Sequence, residues 1–154
     1  MVRQAYKNRY ILNTRYVVGE VRGEEAIDML QALNTGHDGS LSTGHANSPK
    51  DMLSRLETMV LMGMELPLPA IRSQIASGID ILVHLGRLRD KSRRVLSIAE
   101  IIGMTDGEIA LRELFRFEET GEECGLVQGA LVRTAGLQNT EKCRRAGFLS
   151  EGVM

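Results

Sequence analysis

The sequence predicts an α/β fold that turns β-rich toward its C-terminus, and three observations carry that expectation. Through about Gly86, short β-branched apolar runs alternate with segments whose apolar residues recur at helical spacing. Beyond it, Val95–Ile102 and Glu108–Phe117 are long half-apolar runs separated by the turn residues Thr105, Asp106 and Gly107. At 154 residues, with no linker, repeat or low-complexity stretch, the chain has room for one core, so residues 1–154 are read as a single unit.

The elements follow in order. Tyr16-Val17-Val18, ending at Gly19, has the look of a buried strand. Glu24 and Glu25 open a helix, where negative charge suits the N-terminal dipole; its apolar face is Ala26, Ile27, Leu30 and Leu33, and Gly36 is its stop. A second short strand centres on Leu41 and passes into a turn at Gly44. Ser48-Pro49-Lys50-Asp51 then starts a helix with a Ser cap, Pro at the first position and an acid at the third. Met52, Leu53, Leu56, Met59 and Val60 form its buried stripe, and Met59, Met62 and Met64 read as core filling. Pro67 and Pro69 precede a helix carrying Ile71, Ile75 and Ala76, stopped by Gly78, and a strand runs from Ile79 to Leu85. In the β-rich zone, Gly121–Gly125 reads as a loop, Leu126–Val132 as a strand and Asn139–Ala146 as a helix stopped by Gly147.

Composition narrows the function classes. Lys and Arg number 19 against 20 Asp and Glu, so no overall field draws the chain onto DNA or an anionic bilayer. Aromatic residues are 4% with no Trp, too few for a base-stacking surface, and no nucleic-acid partner is expected. Cys124 and Cys143 are too few for a disulfide framework and read as unpaired thiols of a reduced, cytoplasmic protein.

Three constellations could carry chemistry. Val17-Val18-Gly19-Glu20 delivers a carboxylate at a strand's C-terminal end, where α/β proteins place a general base or a metal-organising acid; it is equally an ordinary strand end. His37 and His45 flank the Leu41 strand, followed by the polar run Ser42, Thr43, Asn47, which suits a phosphate-sensing loop or plain turn chemistry. Arg87-Leu88-Arg89-Asp90-Lys91-Ser92-Arg93-Arg94 is a basic turn, a phosphate contact or a solvated hairpin tip, with Asp90 interrupting the charge in favour of the tip.

Taken in order and spacing, these runs resemble the C-terminal part of the type II/type IV secretion ATPases, nearest to the tight-adherence (Flp) pilus assembly ATPases. Val17 to Glu20 resembles the Walker B segment, Gly19-Glu20-Val21-Arg22-Gly23 its continuing signature, and Gly36-His37 with Ser42-Thr43-Gly44-His45-Ala46-Asn47 the histidine box. The likeness continues through Leu66-Pro67-Leu68, Ile71 to Ser77 and Arg87-Leu88-Arg89-Asp90, and covers Val17 to about Phe148. No G-x-x-x-x-G-K-[ST] phosphate loop occurs in the sequence, and the family's N-terminal domain is absent from it.

The resemblance implies the C-terminal portion of a RecA-like P-loop NTPase core, from the Walker B strand onward. Glu20 then polarises the attacking water or organises Mg²⁺ through water, and His45 senses the γ-phosphate of ATP. Thr43 and Asn47 support that loop, His37 is the second box histidine, and Arg22 braces the strand end. The implied assembly is a homohexamer at the cytoplasmic side of the inner membrane, working on a membrane platform protein to drive pilin assembly or export. A phosphate cradle and its chemistry stand or fall together, so this chain is expected to be inactive alone. A docking module that binds the full-length hexamer is the alternative. Either way, a partial core should leave apolar surface uncovered and favour association.

Overall fold

A computed structural model describes residues 17–36 and 39–148. His37 therefore lies outside the described residues, as does the Tyr16 end of the first strand. Two short strands, β1 (Val17–Val18) and β2 (Leu41–Ser42), pair in parallel with Val17 opposite Leu41, and helix α1 (Ala26–Leu33) connects them. Helices α2 (Pro49–Gly63) and α3 (Leu68–Gly78) follow, then an antiparallel meander of β3 (Ile81–Arg87), β4 (Arg93–Thr105), β5 (Glu108–Glu123) and β6 (Leu126–Arg133), and a short α4 (Glu141–Arg145).

The helices form where their sequence signals stand. Ser48 caps α2 by accepting the Asp51 amide on its hydroxyl at 3.0 Å, with Pro49 in the first turn. Leu30 of α1, Val60 of α2, and Ile71 and Ile75 of α3 are all 0% exposed and meet in one cluster, which Ile101 of β4 joins from the sheet. Burying such a side chain is worth about 1.5–3 kcal/mol, whereas an exposed ion pair contributes about 0–1 kcal/mol, so this cluster holds the fold. One half-buried cation assists it: Arg72 of α3 donates Nε to Glu57 of α2 at 2.8 Å and Nη1 to the Gly107 carbonyl and Glu108 carboxylate at 2.8 and 2.7 Å. It thereby ties both helices to the β4–β5 turn.

Several sequence expectations need correction. Met29 joins the inner face of α1 as a further buried residue, while Leu33 packs half-buried against the same cluster. Met59 fills core, but Met62 and Met64 are 68% and 43% exposed, because they follow the buried stripe past the end of the helix cluster. The third strand begins at Ile81, since the backbone amide of Ile79 still bonds the Ile75 carbonyl and finishes α3. Residues 121–123 are not loop. β5 runs through Gly121 to Glu123 with a bulge between Glu119 and Gly121, and the turn is the pair Cys124-Gly125. That pair has φ of +50° and +75°, as Asp106-Gly107 has +52° and +78°, the all-positive geometry of a two-residue hairpin that glycine accepts at its second position. The basic turn is exposed but anchored. Asp90 accepts the Val127 amide at 2.9 Å and the Ser92 hydroxyl at 2.6 Å, and Arg89 pairs with Glu119 and Glu122 at 2.5 and 3.1 Å.

Candidate functional site

Because β1 and β2 are parallel, their C-terminal ends open at the same edge, and the loops that leave them carry Glu20 and His45. The His45 Nε2 stands 3.0 Å from Glu20 Oε1, while the Arg22 guanidinium bonds the other carboxylate oxygen. Two backbone links set this spacing. The Val21 amide donates to the Thr43 carbonyl at 2.9 Å, and the Thr43 hydroxyl donates back to the Gly19 carbonyl. Thr43 is thus a stitch between the loops, its hydroxyl spent on backbone.

Glu25 shapes the same turn. Its carboxylate accepts the amides of Arg22 and Gly23 at 2.9 and 3.3 Å, ahead of the first turn of α1. Beyond its dipole role, nothing in the composition of this segment marks Glu25 as a loop clamp; the signal is its spacing three residues after Arg22. Close packing at Gly63 holds the turn from the other side. A Cβ there would come within 2.9 Å of Glu24 Cβ and 3.0 Å of the Glu24 carbonyl oxygen, so α2 ends flush against the segment only as glycine.

Electrostatics favour the ionised carboxylate. The hydrogen bond from Arg22 holds the Glu20 carboxyl below its usual 4.5, assisted by the charges of Arg22, His45 and Arg55 and opposed by desolvation. Glu25 is held down chiefly by the Arg22 amide. Arg55, on α2, is the residue that the sequence reading did not single out. It lines a cleft of about 490 Å³ with His45, Asn47, Asp51 and Ser54, four residues on from Asp51 on the same helical face. The structure therefore gathers Glu20, Arg22 and His45, sets Thr43 and Asn47 beside them, and leaves His37 outside the described residues. Chemically, an ionised carboxylate bonded to an imidazole at a strand end can accept a proton from water or orient a hydrated cation, while the imidazole offers a donor to an anion.

The same residues fall within a long family match. Residues 14–147 match the family described as Type II/IV secretion system protein. The chain belongs to that family. Among relatives, it is 39% identical over 132 residues to a Mycobacterium tuberculosis protein with a conjugal-transfer name, covering 75% of this chain and 36% of that protein. It is 40% identical over 90 residues to the type IV secretion system protein PtlH of Bordetella pertussis, covering 55% of this chain and 26% of that one. The secretion-family chain thus spans about a third or less of the length of these relatives. Its fold is similar to the crystal structure of the VirB11 ATPase from the Brucella suis type IV secretion system in complex with sulphate, with a TM-score of 0.57 and 30% identity over 64% of this chain and 30% of that one. The α/β arrangement with an antiparallel C-terminal sheet is accordingly that of a secretion-ATPase portion. Among the described residues, no helix is long and apolar enough to cross a membrane.

Proposed function

We propose that these 154 residues form one unit, the C-terminal part of a secretion-motor ATPase domain, and supply the hydrolytic side of its ATP site. The observation that carries this reading is the Glu20–His45 pair, 3.0 Å apart at the shared end of two parallel strands. Glu20 orients water and, through water, Mg²⁺; His45 meets the terminal phosphate; Arg22 keeps the carboxylate ionised; Asn47 and Thr43 shape the loop, and His37 belongs to the same box. The residues fit this half of the task. The cradle of backbone amides and lysine that holds the phosphates is not encoded in this sequence, so it comes from residues beyond it. When bound, ATP with Mg²⁺ supplies a phosphoryl group whose transfer is driven almost wholly by positioning and charge. In the working assembly, a ring of such subunits lies at the cytoplasmic face of the inner membrane and acts on a platform protein for pilin assembly or export.

The test is reconstitution. Alone, the chain should show no saturable binding of a fluorescent ATP analogue at tens of micromolar. Joined to a family segment that carries the phosphate loop, it should turn over ATP, and Glu20→Gln should lower kcat about a hundredfold or more. Turnover indifferent to both Glu20→Gln and His45→Ala would sink this reading.

One observation favours a second reading. Val17 and Leu41 are 76% and 67% exposed, and Val83 and Leu85 of β3 are 51% and 65% exposed, an apolar surface suited to a non-catalytic module that docks on the full-length motor or its platform. Such a module binds the full-length hexamer undiminished by Glu20→Gln and His45→Ala.

A further inference from the structure

Glu20 depends for its geometry on a side chain that packing does little to hold. Arg22 bonds one oxygen of the Glu20 carboxylate, yet its own side chain is 73% exposed. A solvated arginine loses much rotamer freedom when it keeps to one place, and a fixed backbone beneath it lowers that cost.

The backbone beneath Arg22 is fixed at three consecutive amides. Val21 donates to the Thr43 carbonyl at 2.9 Å, and Arg22 and Gly23 both donate to one oxygen of Glu25, Oε1, at 2.9 and 3.3 Å. The Ala26 amide then closes on the Gly23 carbonyl at 3.0 Å, joining this loop to the first turn of α1. Position 23 admits the carboxylate because it is glycine: a Cβ there would stand 3.3 Å from Glu25 Oε2, tighter than ordinary van der Waals contact. Glu25 itself is half-buried at the head of α1, directly before the buried Ala26 and Ile27, so the clamp is rooted in the core. Two glutamates of one short segment thus have different partners. Glu20 meets His45 and the Arg22 guanidinium, whereas Glu25 accepts from backbone.

We propose that Glu25 is a positioning residue for the hydrolytic site: one carboxylate oxygen captures two successive amides and so fixes the backbone from which Arg22 reaches Glu20. Glu25 acts as a hydrogen-bond acceptor of the right length and not as a charge. Its effect on turnover rests on the hydrolytic role proposed above; its effect on the Arg22–Glu20 contact does not. Because both amides end on a single oxygen, a glutamine carbonyl in the same place can accept both. Aspartate keeps the charge but is one methylene too short.

The experiment compares Glu25→Ala, Glu25→Gln and Glu25→Asp, first in the ¹⁵N-labelled chain and then in the reconstituted motor. In the chain, the Arg22 guanidinium signals report the contact with Glu20, and hydrogen exchange at Arg22 and Gly23 reports the clamp. Glu25→Ala and Glu25→Asp should speed that exchange about tenfold and release the guanidinium, while Glu25→Gln stays near native. In the motor, Glu25→Ala and Glu25→Asp should lower kcat about ten- to a hundredfold with KM for ATP unchanged, and Glu25→Gln should hold it within about threefold of native. Faster exchange throughout α1, with kcat and KM moving together, would mark a merely structural role and overturn the proposal. Native kcat and native Arg22 signals in Glu25→Ala overturn it too, as does rescue by Glu25→Asp but not by Glu25→Gln. If the motor is indifferent to Glu20→Gln, the hydrolytic reading falls and the Arg22 signals alone decide. Lost in Glu25→Ala and kept in Glu25→Gln, they uphold the role of Glu25; kept in both, they overturn it.

Discussion

Glu20 owes its character chiefly to one contact. The Arg22 guanidinium, two residues on in the chain, reaches back to the carboxylate, and a carboxyl so bonded gives up its proton more readily than the free group at 4.5. The folded value is depressed, so the linkage has one sign: its contribution to stability is complete above 4.5 and fades as pH falls through the lower folded value. Carbon-detected NMR of the side-chain carboxyl should find Glu20 titrating below 4.5 in the native chain and moving upward in Arg22→Ala. A native midpoint at or above 4.5 would show that desolvation outweighs the guanidinium. His45 was legible in the sequence as a member of a polar loop, but its partner was not. Only the parallel pairing of β1 with β2 tells that residues 25 positions apart meet at 3.0 Å. Thr43, expected to support the loop, bonds the Gly19 carbonyl through its hydroxyl, a partner that the sequence alone does not name.

At the scale of elements, local signals are strongest where one residue's chemistry suffices. The Ser48 cap, the Pro49 start and the Asp106-Gly107 turn all act within four residues, and each stands where the sequence places it. The reach of β5 to Glu123 was not legible, because Gly121 looks like loop chemistry until the pairing of β6 gives it a bulge to occupy. Glu100 was missed for a similar reason. A charged residue in an alternating strand reads as solvent-facing, yet Glu100 is 1% exposed and accepts the amides of Gln138 and Asn139 at 2.9 and 2.7 Å. It pins the segment after β6 onto β4, aided by the Asn139 amide group on the Ile101 carbonyl at 3.2 Å. Glu100→Ala removes the acceptor of two part-buried amide donors, and we expect a loss of about 1–2 kcal/mol in urea unfolding. Hydrogen exchange at Gln138 and Asn139 should rise more than exchange in α2. A uniform rise across the chain would mean that the carboxylate supports global packing and not this strap.

The whole molecule divides its surface unevenly. The helix cluster buries Leu30, Val60, Ile71 and Ile75 completely, while the outer face of β3 turns Ile81, Val83 and Leu85 toward solvent at 39%, 51% and 65% exposure. Alternation explains how: Leu82 and His84 take the inner positions, so every odd residue of β3 must point out. Among the described residues β3 is an edge strand, and an edge strand with apolar side chains is a template for association unless charge or a bulge disrupts it; here Arg87 and the shift between His84 and Leu85 interrupt one end. Val17 and Leu41, cross-strand partners on the small sheet, add a second exposed apolar pair. The net charge of −1 offers almost no repulsion between copies. Sedimentation velocity should therefore find the chain self-associating with rising concentration in the micromolar range, more so when salt is added, because apolar contact and not ion pairing drives it. Val83→Lys with Leu85→Lys should return the profile to monomer without loss of folded signal, since neither side chain belongs to the core cluster. A monomer at every concentration tested would mean that the β3 edge is protected by its own twist and bulge, and the docking alternative would then rest on Val17 and Leu41 alone.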